Sequence, residues 1–114
     1  MQKILFIESD HDWLKRYRSE LPELDPRGAV TLEEAESFWR DEGPFACVVV
    51  GGIAAGKPTF SFVRMLRGEG FTGPIIAASN MPAVRRKLLE AGCSHAVANT
   101  KAGTSALVRQ ALGI

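Results

Sequence analysis

The chain has little of what marks the simplest function classes. Two cysteines and two histidines occur in 114 residues, and their spacing does not suit a tetrahedral metal site. Cys47 falls in an apolar run and Cys93 beside a turn glycine, so both are expected as reduced intracellular thiols. Charge of one sign is also missing: 14 basic residues stand against 13 acidic ones, a formal +1. That removes the bulk attraction to nucleic acid or to an anionic membrane. No apolar run approaches the roughly 20 residues that a spanning helix needs. The N-terminus opens directly on the strand-like run Lys3–Ile7, without the pattern of a signal peptide. A cytoplasmic protein with no membrane or nucleic-acid partner is the expectation. The most informative absence is local. The apolar run Ala46-Cys47-Val48-Val49-Val50 opens into Gly51-Gly52-Ile53-Ala54-Ala55-Gly56-Lys57-Pro58-Thr59, and residues 50 to 57 hold no Asp, Glu, Ser, Thr or His. In a parallel α/β sheet, ligands and chemistry sit at the carboxyl ends of the strands. A glycine tip brings no side chain to that place.

What is present is an ordinary core former, 46% hydrophobic and 24% charged, with the length of one domain over residues 1–114. Strand candidates are Lys3–Ile7, Ala29–Val30, Ala46–Val50, Pro74–Ala78 and Ala96–Val97. Three are apolar enough to be buried on both faces. Helical patterns lie between them. Asp10 is a candidate cap for a helix carrying Leu14, Tyr17 and Leu21, which Pro22 ends. Thr31 and Glu34 have capping-box spacing before the stripe Leu32, Ala35, Phe38 and Trp39. A third helix carries Phe62, Val63 and Leu66. Asn80 is placed to cap a fourth, with Pro82 in its first turn, Val84, Leu88 and Ala91 facing inward, and Gly92 beyond its end. A fifth carries Leu107, Val108, Ala111 and Leu112. Five strand–helix units of this size indicate a doubly wound parallel sheet.

At this level the sequence resembles a known family. KILFIESDHDWLKRYRSEL looks like the first strand, acidic cluster and first helix of a response regulator receiver domain, the phosphorylated module of two-component signalling. PFACVVVGGIAAGKPTFSFVRMLR is similar to its third strand, active loop and third helix. GPIIAASN resembles the fourth strand with its terminal hydroxyl, and RRKLLEAGCSHAV the fourth helix, glycine turn and fifth strand. The resemblance implies a flavodoxin-like (CheY-like) fold: a five-stranded parallel sheet in order 2-1-3-4-5 with helices on both faces.

The chemistry of that family does not carry over. Its phosphoryl-accepting aspartate aligns with Gly51. Its two magnesium-holding acids align with Glu8 and Ser9, so one acid remains, beside Asp10. The hydroxyl on the fourth strand is kept as Ser79. The lysine of the family aligns with Asn99, followed by Thr100, with Lys101 two places on. The aromatic that rotates on activation aligns with Ala96. Magnesium is usually held by one or two carboxylates plus the phosphate, and losing the central ligand removes the reason for the rest. Breaking a buried ion pair by removing one partner costs roughly 3–5 kcal/mol. A neutral Asn99 opposite Gly51 is therefore the consistent outcome, and no metal or other cofactor is expected.

Other motifs compete for the same residues. Gly51 to Lys57 fits G-x-x-x-x-G-K between a strand and a helix, the setting of a phosphate-binding loop. Pro58 then stands where that motif needs Ser or Thr for magnesium, and it removes a backbone donor at the helix start. Asp10-His11-Asp12 is a weak metal candidate, because three successive residues point in different directions. Arg85, Arg86 and Lys87 form a basic patch on the fourth helix, either a solvated face or a docking surface for a partner. Trp13 and Trp39 sit at the edges of their stripes, as core cover or as interface anchors.

The expected function is a phosphorylation-independent interaction module in signal transduction, a pseudo-receiver and not an enzyme. It would bind partner proteins, or a second copy as a homodimer, through the face of the fourth helix, fifth strand and fifth helix that the family uses. The alternative is a sensor of an anion or nucleotide, with Gly51, Gly52, Gly56 and Lys57, and with Ser79, Asn99 and Lys101, around a cleft emptied of acids.

Overall fold

The computed structural model describes residues 2–9, 11–98 and 101–114, and only the backbone at 11, 101 and 102, and twelve elements follow one another among them. They are β1 (Lys3–Ile7), α1 (His11–Glu20), β2 (Asp25–Ala29), α2 (Leu32–Asp41), β3 (Cys47–Val50), β4 (Ile53–Ala54), β5 (Lys57–Pro58), α3 (Phe60–Gly68), β6 (Ile75–Ala78), α4 (Pro82–Ala91), β7 (His95–Val97) and α5 (Lys101–Leu112). Five of the strands form one sheet in the order β2-β1-β3-β6-β7, with every pairing parallel. This is the doubly wound arrangement the sequence indicates.

The strand residues divide by parity. Leu5, Ile7, Val48, Val50, Ile75 and Ala77 face α2, α3 and α4, where they meet Ala35, Phe62, Val63, Leu66 and Leu88. Ile4, Phe6, Cys47, Val49, Ile76 and Ala78 face α1 and α5, where they meet Leu14, Tyr17, Leu21 and Val108. With both faces covered, β3, β6 and β1 from Ile4 onward hold no polar residue, which is why they read as unbroken apolar runs.

The chain terminates its helices much as the sequence suggests. Thr31 Oγ1 accepts from Glu34 N at 3.0 Å, and Glu34 Oε1 accepts from Val30 N at 3.0 Å. Gly92 follows α4 with φ +133°, which a side chain would strain. The cap of α4 differs from expectation. Met81 is its N-cap residue and makes no side-chain cap bond, whereas Ser79 Oγ accepts from Met81 N at 3.2 Å. The proposed Asp10 cap of α1 lies outside the described residues.

Two strands also depart from expectation. The second strand is Asp25–Ala29, not Ala29–Val30. It is an edge strand paired only with β1, so Pro26 and a charged pair are tolerated and the apolar signal is lost. The glycine loop after β3 is also not a plain loop. Ile53–Ala54 and Lys57–Pro58 pair as an antiparallel hairpin. Its turn residues Ala55 and Gly56 have φ +49° and +79°, the positive values a type I′ turn requires.

Candidate functional site

β1 and β3 are neighbours at the centre of the sheet, and the chain leaves them in opposite directions, β1 toward β2 and β3 toward β6. Their carboxyl ends therefore mark the switch point where doubly wound folds hold ligands. Glu8 follows β1 there, and Gly51 follows β3. Gly51 is buried, and its N–H donates to Ile7 O at 2.9 Å. A side chain on it would be sterically possible. Its Cβ would stand 3.5 and 3.7 Å from the two Glu8 carboxylate oxygens and 3.6 Å from Ile7 O. The Glu8 carboxylate thus lies beside the space that an acceptor side chain would enter, with Glu8 Oε1 accepting from Ser9 N at 3.1 Å.

The cleft over this point encloses about 190 Å³. Ile53, Ala78, Met81 and Val84 form apolar walls, and Glu8, Ser79 and Asn80 supply the polar lining. The loop below is tied down by short bonds. Thr59, fully buried, donates from Oγ1 to Gly51 O at 2.6 Å and from its N–H to Gly52 O at 3.2 Å. Ser9 Oγ donates to Ile53 O at 2.7 Å. Ser9, aligned with a metal-holding acid, here anchors the loop.

Among the described residues, the candidate anion-binding groups do not converge. The N–H of Gly51 is committed to Ile7, and Gly56 and Lys57 lie exposed at the far end of the hairpin. Lys57 Nζ bonds Glu33 Oε1 on α2 at 2.9 Å, and that bond holds the Glu33 carboxyl below its ordinary range. The phosphate-type cradle from Gly51 to Lys57 is only a competing motif in the sequence, one that Pro58 disfavours. Ile53 and Ala54 pair with Pro58 and Lys57, so this backbone closes on itself rather than around an anion. The cleft is not emptied of acids either, because Glu8 remains in it.

α4 reaches this site closely. A Cβ on Gly52 would stand 2.5 Å from Val84 Cγ1, so a glycine is needed where the helix lies on the loop. Arg85 Nη1 donates to Ser79 O at 2.5 Å, joining α4 to the end of β6. The basic patch is divided accordingly. Arg85 turns toward Ser79, Lys87 Nζ lies 6.0 Å from the Phe60 ring centroid, and Arg86 is exposed. Ala96 sits within β7 opposite Ala77 and packs on the core. Asn99 and the side chain of Lys101 lie outside the described residues, as do Asp10 and the side chain of His11. Among the described residues no three His, Cys, Asp or Glu side chains are grouped to hold a metal ion.

Beneath the cleft on the α1 face, Tyr17 is stacked on Phe6 with ring centroids 4.3 Å apart. Burial pushes its phenol up to about 12, the Glu8 and Glu20 carboxylates add to that, and Thr104 opposes it. Its hydroxyl nevertheless makes no hydrogen bond of normal geometry among the described residues. Cys47 and Cys93 are free and buried, and burial pushes both thiols to about 12.

Thr59, Val84 and Arg85 matter to the site and were not singled out for it by sequence. Only the fold turns the Thr59 hydroxyl back to Gly51. Comparison with solved structures gives a consistent picture. The chain is similar to the BeF3-activated receiver domain of DrrB, with a TM-score of 0.84, 22% identity and coverage of 100% of this chain and 99% of that one. It is similar to a two-component response regulator from Clostridium difficile, with a TM-score of 0.86, 19% identity and coverage of 99% and 97%. The receiver domain of Francisella response regulator 1452 gives 0.84, 15%, 99% and 98%. No family model matches the sequence, and no curated protein matches it. At these identities the likeness defines the fold, and the fold is that of response regulator receiver domains.

Proposed function

We propose that this chain is a pseudo-receiver, a non-enzymatic interaction module that signals without being phosphorylated. The observation that carries the reading is Gly51. It lies at the tip of β3, buried, where the fold's chemistry is done, and it offers no atom to accept a phosphoryl group. The surrounding loop supports this. Ser9 and Thr59 hydroxyls are spent on the carbonyls of Ile53 and Gly51, and Ala96 has no ring to rotate. Partner binding would use the faces of the fold, chiefly α4, β7 and α5, whose counterparts serve the family as output and dimer surface. Arg86 and the exposed Leu89 belong to that side. The anion-sensor reading has less support, because the Glu8 carboxylate stands in the cleft and Lys57 is paired elsewhere.

The test is incubation with a small phosphodonor and magnesium, followed by intact-mass measurement. No stoichiometric gain is expected. A base-labile gain of one phosphoryl group would overturn the proposal, and mapping it to Glu8 would reassign the acceptor.

A further inference from the structure

α3 and α4 lie side by side on one face of the sheet, and their charge is one-sided. α3 carries Arg64 and Arg67 and no acid, and α4 carries Arg85, Arg86 and Lys87 against the single acid Glu90. Five basic side chains to one acidic leave a net of four positive charges on two helices, in a chain whose total is +1. Neighbouring acids do not offset this. Glu69, just beyond α3, turns away to Arg40 on α2 at 3.2 Å, and Glu33 is taken by Lys57.

Two of the five cations fasten the helices. Arg67 Nε donates to Gly92 O at 2.8 Å, and its Nη1 donates to Phe71 O at 2.9 Å and Gly73 O at 2.8 Å, which ties α3 to the end of α4. Arg85 is spent on Ser79 O. Carbonyls fix these guanidinium groups without cancelling their charge. The other three, Arg64, Arg86 and Lys87, are exposed and pair with no carboxylate among the described residues. Lys87 reaches toward α3, with its Nζ 6.0 Å from the Phe60 ring centroid. Arg64 lies one helical turn from Phe60, on the same side of α3. Phe60, Arg64 and Lys87 therefore line the groove between the helices, and Arg86 stands on the exposed crest of α4.

Unpaired like charges in one groove repel. Incoming carboxylates relieve that repulsion and gain charge-assisted hydrogen bonds. The helices are already fastened together, so little ordering cost falls on this side of the contact. A second set of unpaired cations, Lys15, Arg16 and Arg18, stands on α1. There Asp12 and Glu20 reduce the helix to a net +1, and no second helix brings further cations to the same groove.

We propose that the α3–α4 groove docks an acidic segment of a partner protein, with Arg64 and Lys87 taking its carboxylates and Arg86 extending the contact. The inference deepens the interaction-module reading and rests on it. It uses the flank of α4 that faces α3, away from β7 and α5.

The experiment follows the backbone amide signals of the full chain by NMR during titration with a Glu-rich peptide, its Gln-substituted counterpart and an oligothymidylate of equal charge. The Glu peptide should shift amides of α3 and α4 and leave those of α1 in place. The Gln peptide should bind at least about tenfold more weakly. Binding of the Glu peptide should also weaken as salt rises, because exposed charges are screened. Arg64→Gln combined with Lys87→Gln changes only exposed side chains and should remove most of the shift, whereas Arg16→Gln on α1 should leave it unchanged. Largest shifts on α1, equal binding of the Gln peptide, full binding by the double variant, or tighter binding of the oligothymidylate would overturn the proposal. A phosphoryl gain at the cleft would sink the interaction-module reading without moving any of these signals, so the two failures are told apart.

Discussion

Replacing Gly51 with aspartate reinstates a carboxylate at the strand tip and measures what Glu8 does there. The backbone does not require glycine, because φ at Gly51 is outside the left-handed region and an added Cβ meets only ordinary contacts. The cost is electrostatic. With that Cβ 3.5 Å from Glu8 Oε2, the two carboxylates fall about 4 Å apart. Two unit charges at that distance repel by about 4 kcal/mol at an effective dielectric of 20 and by about 1 kcal/mol in water. The cleft is open on one side, so about 2 kcal/mol is expected. Gly51→Asn supplies the neutral control of the same shape. In urea at pH 7 with chelator, Gly51→Asp should be less stable than Gly51→Asn by that amount. The gap should close as pH falls and the carboxyls protonate. Magnesium should also narrow it, since a hard divalent ion takes paired carboxylates. At ten times its dissociation constant it returns about 1.4 kcal/mol. Identical urea curves for the two variants at pH 7, unchanged by magnesium, would refute the placement of Glu8 beside Gly51.

Two further outcomes follow from the same geometry. Gly52→Ala drives a methyl group to within 2.5 Å of Val84 Cγ1; it should cost about 1–3 kcal/mol, the usual penalty for overfilling a packed contact. Val84→Ala in the same chain should recover much of that loss in urea titrations, and strictly additive losses would contradict the contact. Tyr17, Cys47 and Cys93 all have folded-state values raised to about 12 from ordinary values of 10.0 and 9.0. Raised values mean stability is fully present below pH 9 and is lost as pH climbs toward 12, by about 1.4 kcal/mol per pH unit for each group that ionises on unfolding. Tyr17→Phe should flatten the part of that decline between pH 10 and 12, and an unchanged slope in alkaline urea melts would exclude Tyr17 as a contributor.

The sequence by itself determined the parallel sheet, because strands covered on both faces must be apolar where they are covered, and β3, β6 and β1 from Ile4 onward are. It also determined the cap of α2, where Thr31 Oγ1 accepts from Glu34 N and the Glu34 carboxylate accepts from Val30 N within a single turn. The missing acceptor at Gly51 was legible for the same reason: an absent side chain is a local fact. The edge strand Asp25–Ala29 was not legible, since an edge needs no alternating pattern and Pro26 hides it. Nor was the hairpin from Ile53 to Pro58, whose turn holds Ala55 at a positive φ that alanine does not advertise. Only the tertiary structure decided where Glu8 points, that Thr59 bonds Gly51, that Lys57 is drawn away to Glu33, and that Trp39, Phe45 and Phe71 meet in one corner. Each of these joins residues distant in the chain, and such meetings are set by how helices settle on the sheet rather than by any local preference.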